Sequence, residues 1–228
     1  MADAEPEYLL GGQARAIVLI PVAASMRRRR SSRGFTLVEL AVTVTLLVIL
    51  VSVGIPSFMT WIRNTQVRSV AESLQTGLRQ AQTDALRLNR SVVFYLTNGT
   101  PSPAAIVPAA ANGKSWAIER IAQFDDLTTS QARFVTGGSL TDVASKVTIT
   151  SATISICFNA NGRISTNAAP GVVGAVCNAG PARFDIAQPN VDLTADRSLS
   201  VLVAIGGQIH MCDPNRPALS VTSPDGCP

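Results

Sequence analysis

The sequence predicts an α+β fold, with a long N-terminal membrane-spanning α-helix packed on a C-terminal antiparallel β domain. Three observations predict it. Residues 35–59 carry one formal charge, Glu39, and exceed the ~20 apolar residues needed to cross a hydrocarbon core. Beyond them Val67, Val70, Leu74, Leu78, Ala81, Ala85 and Leu88 recur at spacings of three and four, the stripe of an amphipathic helix. From residue 91 the pattern becomes short β-rich runs separated by turn residues.

The chain before the apolar run divides in two. Residues 1–25 hold Asp3, Glu5 and Glu7 with a short apolar patch at 16–24, and resemble no targeting segment. Met26 makes a better start, because residues 26–34 are then a short basic leader containing Arg27 to Arg30 and Arg33. A secretory signal has an apolar core of about 7–15 residues followed by a small-x-small cleavage site. Here the core is longer and the small residue, Gly34, precedes it. Five arginines lie before the run, against only Arg63 and Arg68 just after it. By the positive-inside bias the N-terminus is cytoplasmic and residues 91–228 are on the far side of the inner membrane.

Glu39 is the anomaly, since an acid inside a span costs about 2.5–3.5 kcal/mol on insertion scales. Solvation at headgroup depth, five residues after Gly34, is one account of it. Its neighbours offer another. Arg33-Gly34-Phe35-Thr36-Leu37-Val38-Glu39-Leu40 resembles the processing site of type IV prepilins and type II secretion pseudopilins. The resemblance implies that a prepilin peptidase cuts between Gly34 and Phe35 and methylates the new amine of Phe35. It also implies that Glu39, at mature position five, neutralises the N-terminal ammonium of a neighbouring subunit during assembly. One charge without the other would be an uncompensated ion in apolar surroundings.

Processing changes the charge argument. Of 19 basic and 15 acidic residues, six and three precede Phe35, leaving 13 and 12. The basic isoelectric point near 9.2 is therefore mostly a targeting feature, and it loses its force as a sign of nucleic-acid binding.

One helix is expected over residues 35–90, with 35–59 as its transmembrane and assembly half and 60–90 as its amphipathic half. At 1.5 Å per residue it is roughly 80 Å long, too long for a span alone. Gly54 and Pro56 interrupt the apolar half, since proline lacks a backbone donor and kinks a helix. Pro56 is mature position 22, where the family resemblance implies a bend or local unwinding. Arg68, Glu72, Arg79, Asp84 and Arg87 are read as the face opposite the stripe, with Arg68 and Glu72 spaced for an ion pair.

The periplasmic β domain, residues 91–228, should hold strands within 91–96, 115–122, 132–135, 146–158, 182–186 and 198–205. Thr97-Asn98-Gly99 is a turn. Residues 101–113 and 166–181, rich in Ala, Pro, Gly and Asn, read as surface loops. Trp116 reads as core and Trp61 as an interfacial residue.

Cys157, Cys177, Cys212 and Cys227 lie where disulfides persist. Three connectivities are possible; Cys157 with Cys177 and Cys212 with Cys227 is favoured because each closes a loop containing glycine and proline. Zinc binding is the competing reading, without a CxxC spacing and with one histidine to support it. No metal or other cofactor is expected. Catalysis finds little support either: His210 stands alone, no nucleophile elbow or phosphate loop is present, and Asp125-Asp126 reads as a solvated turn.

Gly206-Gly207-Gln208-Ile209-His210-Met211-Cys212-Asp213-Pro214 and Phe158-Asn159-Ala160-Asn161-Gly162-Arg163 narrow the resemblance to the FimT/FimU and GspH group of minor pilins and pseudopilins. That implies partners: prepilin peptidase, the inner membrane, and the major and other minor pilins or pseudopilins of a pilus or pseudopilus. It implies a structural role, insertion into the filament and help in initiating assembly. FimT-like proteins linked to transformation contact DNA through a Gly-Arg-x-Arg segment, whose matching positions here are Gly207, Gln208, Ile209 and His210. Both arginines are missing, and Arg216 alone does not restore a cationic patch, so DNA is the weaker alternative. A membrane-anchored periplasmic protein outside any filament is the third reading.

Overall fold

The computed structural model describes residues 34–104, 107–122, 133–142, 144–189 and 197–228. The leader arginines, residues 1–25 and Asp125-Asp126 lie outside the described residues. The chain divides into two compact units between Leu46 and Leu47, inside the first helix.

Helix α1 runs Leu37–Leu88, 52 residues. Thr36 caps it: its Oγ1 accepts from the Glu39 N–H at 3.2 Å, and its carbonyl accepts from the Leu40 N–H at 3.1 Å. The spacing Thr-x-x-Glu is that of a capping box. At the other end Asn89 takes a positive φ of 49°, and the Arg90 N–H returns to the Ala85 carbonyl at 3.2 Å. A left-handed residue there is a common helix stop.

Two expectations for α1 are corrected. Gly54 and Pro56 do not interrupt it, for Pro56 lies inside a continuous helix. Pro56 withholds a single N–H, and hydroxyls on this half bond back to the helix's own carbonyls, as Ser52 does to Ile49 at 2.8 Å and Thr60 to Pro56 at 3.3 Å. Asp84 is not on the solvent face. Three residues after Ala81 and four before Leu88, it falls on the buried stripe and is 7% exposed. Arg87 reaches over it, donating to Oδ1 through Nε and Nη2 at 3.3 and 3.0 Å.

Among the described residues nine strands follow: β1 Val92–Thr97, β2 Ser115–Arg120, β3 Phe134–Ser139, β4 Thr148–Thr150, β5 Ser155–Phe158, β6 Ile164–Ser165, β7 Ala182–Ala187, β8 Leu199–Val203 and β9 Ile209–Cys212. They form two antiparallel sheets, ordered β3-β2-β1-β5-β6 and β4-β7-β8-β9. The run 146–158 is thus two strands in different sheets. Ser151 makes the crossing: its N–H donates to Asn112 Oδ1, its hydroxyl to the Arg183 carbonyl, and its Oγ accepts from the Thr153 N–H. β3 extends past the expected 135 through Gly137 and Gly138, where the missing side chains leave room for Pro101 and the Trp116 indole.

The amphipathic half of α1 buries Val67, Val70, Ala71, Leu74, Leu78, Ala81 and Ala85 in one core with both sheets. Phe94, Phe158 and Phe184 are fully buried there, each contributing about 1.5–3 kcal/mol of apolar burial. Trp116 stacks on Phe94, ring centroids 5.8 Å apart.

All six residues of β1 are buried, since a second cluster covers its other face. Val93, Tyr95, Ala117 and Cys157 lie beneath Val172, Ala175 and Cys177. Residues 166–181 are the expected surface loop, most of them exposed, and they turn Val172, Ala175 and Cys177 inward onto the sheet. The small apolar residues of this loop are what fits flat against the sheet.

Candidate functional site

The N-terminal candidate begins at Gly34, where an added methyl group would meet nothing within 4 Å. Nothing in the packing of the described residues requires glycine there. Phe35 is 80% exposed, and Glu39 is exposed in the first turn of α1. Among the described residues the Glu39 carboxylate has no ion-pair partner, while the N-terminus of the helix favours a negative charge in that turn.

From Leu37 to Trp61 the large apolar side chains are uncovered, including Leu40, Leu47, Leu50, Val53, Ile55 and Phe58. The helix is long and apolar enough to cross a membrane. Trp61 stacks on Phe58 at 5.8 Å, at the end of the apolar run where amphipathic rings favour a bilayer interface.

The C-terminal candidates are not brought together. Gly207 turns β8 into β9 with φ +88°, and a side chain there would strike the Gly162 carbonyl. Gln82 ties this turn to α1, its Nε2 donating to the carbonyls of Gly162 at 2.7 Å and Gly207 at 2.9 Å. Gln208 shares a shallow cavity of about 390 Å³ with Arg79 and Gln82, and Arg79 Nη2 donates to the Ile209 carbonyl at 3.4 Å. His210 faces elsewhere, exposed and opposite Leu202, which is itself opposite Arg183. Arg216 lies in a third place, 3.8 Å from Asp213 and 3.9 Å from Asp225.

The structure joins Cys157 to Cys177, Cα atoms 5.5 Å apart, and Cys212 to Cys227 at 5.1 Å. The first bond pins residues 166–181 over β1; the second closes the loop that carries Arg216. Among the described residues no three His, Cys, Asp or Glu side chains are grouped as metal ligands.

Besides Asp84, sequence reasoning missed a second buried acid, Glu119. Glu119 is fully buried on the disulfide-covered face of the sheet. Tyr95 donates its hydroxyl to Glu119 Oε1 at 2.6 Å, and Arg133 Nη2 stands 3.9 Å from Oε2 while donating to the Pro170 carbonyl at 3.0 Å. Burial pushes the Glu119 carboxyl up, against the opposing pull of the Tyr95 hydroxyl and Arg133. Burial, then Glu119, pushes the Tyr95 hydroxyl up as well. A signal was available: Glu119 alternates with Ser115 and Ala117 on the strand face opposite Trp116 and Ile118. It reads as solvent-facing only if that face is assumed open.

Two family descriptions match this chain. Type II transport protein GspH matches residues 70–217, and the prokaryotic N-terminal methylation motif matches residues 29–55. No curated protein matches. Among solved structures, the type IV minor pilin FimU of Pseudomonas aeruginosa strain PAO1 is 16% identical with a TM-score of 0.43, covering 72% of this chain and 96% of its own. The minor pseudopilin EpsH of the Vibrio cholerae type 2 secretion system is 9% identical with a TM-score of 0.40, covering 66% and 99%. The GspH match takes in well over half of the sequence and the methylation motif lies across Gly34, Phe35 and Glu39, so the chain belongs to the GspH family of minor pilins and pseudopilins.

Proposed function

We propose that this chain is cleaved between Gly34 and Phe35 by a prepilin peptidase, methylated on the Phe35 amine, and built through α1 into a type IV pilus or type II secretion pseudopilus, where it helps to initiate assembly. The observation that carries the reading is the state of residues 35–61. An uncovered apolar helix surface, with one acid in its first turn that has no ion-pair partner among the described residues, suits a bilayer first and other helices afterwards. Before assembly the subunit is a single-pass inner-membrane protein with its N-terminus cytoplasmic and its β domain periplasmic. Assembly then gives Glu39 the neighbouring ammonium that no described residue of its own chain supplies. Its role is packing rather than catalysis.

The test is the presence of the chain in filaments. Sheared pili, or pseudopili formed by raising expression of the secretion machinery, should contain it, and deleting its gene should lower filament number. Filaments of normal number that lack the chain would contradict the proposal.

The DNA-receptor reading gains one cation from the fold, since Arg79 stands beside Gln208. A single phosphate contact moves the salt dependence by a slope of only about 0.9. Arg183 and Arg216 lie in separate places, so the filament reading stands.

A further inference from the structure

We propose that the end of the β domain nearest the apolar run is a docking surface for anionic phospholipid headgroups, with Arg197 and Arg216 as its phosphate-binding side chains and Arg68 beside them. This rests on the anchoring read above.

The placement comes from contacts along α1. The Arg197 backbone N–H donates to Asn64 Oδ1 at 2.8 Å, and Gln188 Nε2 donates to Gln66 Oε1 at 2.7 Å. Asn64 is five residues past Met59, about 7.5 Å along a helix, and Trp61 and Phe58 mark the interface just before it. A headgroup layer is roughly 5–8 Å thick on each side of the core. Arg197 is thereby held at the outer edge of that layer, although it lies more than 130 residues further along the chain.

Arg197 and Arg216 line one cavity of about 200 Å³ together with Arg68, Leu199, Met211, Cys212, Asp213 and Asp225. Asn215 Nδ2 donates to Ser198 Oγ at 3.1 Å, joining the disulfide-closed loop to the segment that carries Arg197. The local charges are unequally committed. Arg68 is held by Glu72 at 2.8 Å. Arg216 is only 3.8–3.9 Å from its two aspartates, and among the described residues the Arg197 guanidinium has no ion-pair partner. A phosphate at the mouth of this cavity meets the Arg197 guanidinium directly and competes with Asp213 and Asp225 for Arg216, whose contacts to them are long enough to yield to forked hydrogen bonds. The domain would then rest on the bilayer until assembly lifts it away.

The experiment uses the full chain in lipid nanodiscs, of phosphatidylcholine alone or with phosphatidylglycerol, read by hydrogen exchange. Each arginine at an anionic surface shifts the bound-to-free ratio on the order of fivefold, so two should slow exchange in peptides covering 197–203 and 212–217 roughly 25-fold in the anionic discs. Peptides of β1 should exchange alike in both discs. About 1 M salt should abolish the difference, as should Arg197→Ala with Arg216→Ala, and Lys at both positions should restore it in part. Equal exchange in the two discs, or protection that appears only when another pilin is added, overturns the proposal while leaving the anchor intact. A chain that never enters the discs overturns the anchor and the docking surface together.

Discussion

The two halves of α1 have opposite surroundings. In the amphipathic half the apolar stripe is covered by two sheets, so that Leu74, Leu78 and Ala85 are wholly buried. In the first half the apolar residues are uncovered on every side, and the one acid has no partner among the described residues. A buried stripe explains itself by the fold it stabilises. An uncovered helix surface refers to something outside the chain, and on the function proposed above that is a membrane before assembly and other subunits after it. The difference separates residues whose substitution should unfold the protein from those whose substitution should leave it folded and idle.

The largest expected effect belongs to the uncovered half. Glu39→Ala should remove the chain from filaments almost completely while leaving the thermal melting of the β domain unchanged. Loss of the folded domain in that variant would break the comparison, because Glu39 would then be part of the fold.

The covered half and the β domain it packs on should respond in stability instead. Replacing Cys157 and Cys177 with serine should cost about 2–5 kcal/mol, as loss of a native disulfide does in small secreted domains, measured by denaturant unfolding. An unchanged unfolding midpoint would mean that residues 166–181 stay on β1 without it. Next comes Gly207→Ala, expected to cost about 1–3 kcal/mol because the residue has φ +88° and a side chain would strike the Gly162 carbonyl. A melting temperature equal to that of the parent would show that the Gln82 tie gives way without loss.

The smallest effect is a pH dependence. The folded Glu119 carboxyl is raised above its ordinary value of 4.5, so the native state holds that proton more tightly than the unfolded chain. Its contribution is fully present below about 4.5 and is lost as pH rises through the higher folded value. Glu119→Gln, which keeps an acceptor for Tyr95, should flatten this decline in unfolding free energy. A profile of unchanged slope would remove Glu119 as its cause.

The sequence made much of this legible where the signal is local. The span, the position of Glu39 after Gly34 and the stripe from Val67 to Leu88 are patterns within one helix, which periodicity and composition register directly. The failures are tertiary. Asp84 was assigned to solvent as a charged residue, although its spacing from Ala81 and Leu88 places it on the stripe. β6 has two residues, too few for a period, and β9 follows a Gly-Gly turn that hides its start. Glu119 could not be seen as buried until residues 166–181 were known to cover β1. At the C-terminal turn, sequence adjacency groups Gln208 with His210, whereas Gln208 lies in the turn before β9, beside Arg79 of α1, and His210 lies within β9 opposite Leu202.

The central claim is that the functional chain begins at Phe35. Mass spectrometry of the N-terminal peptide, taken from filaments or from membranes with active prepilin peptidase, should find Phe35 as the first residue with a methylated amine. An intact terminus at Met1 or Met26 in those membranes would contradict it.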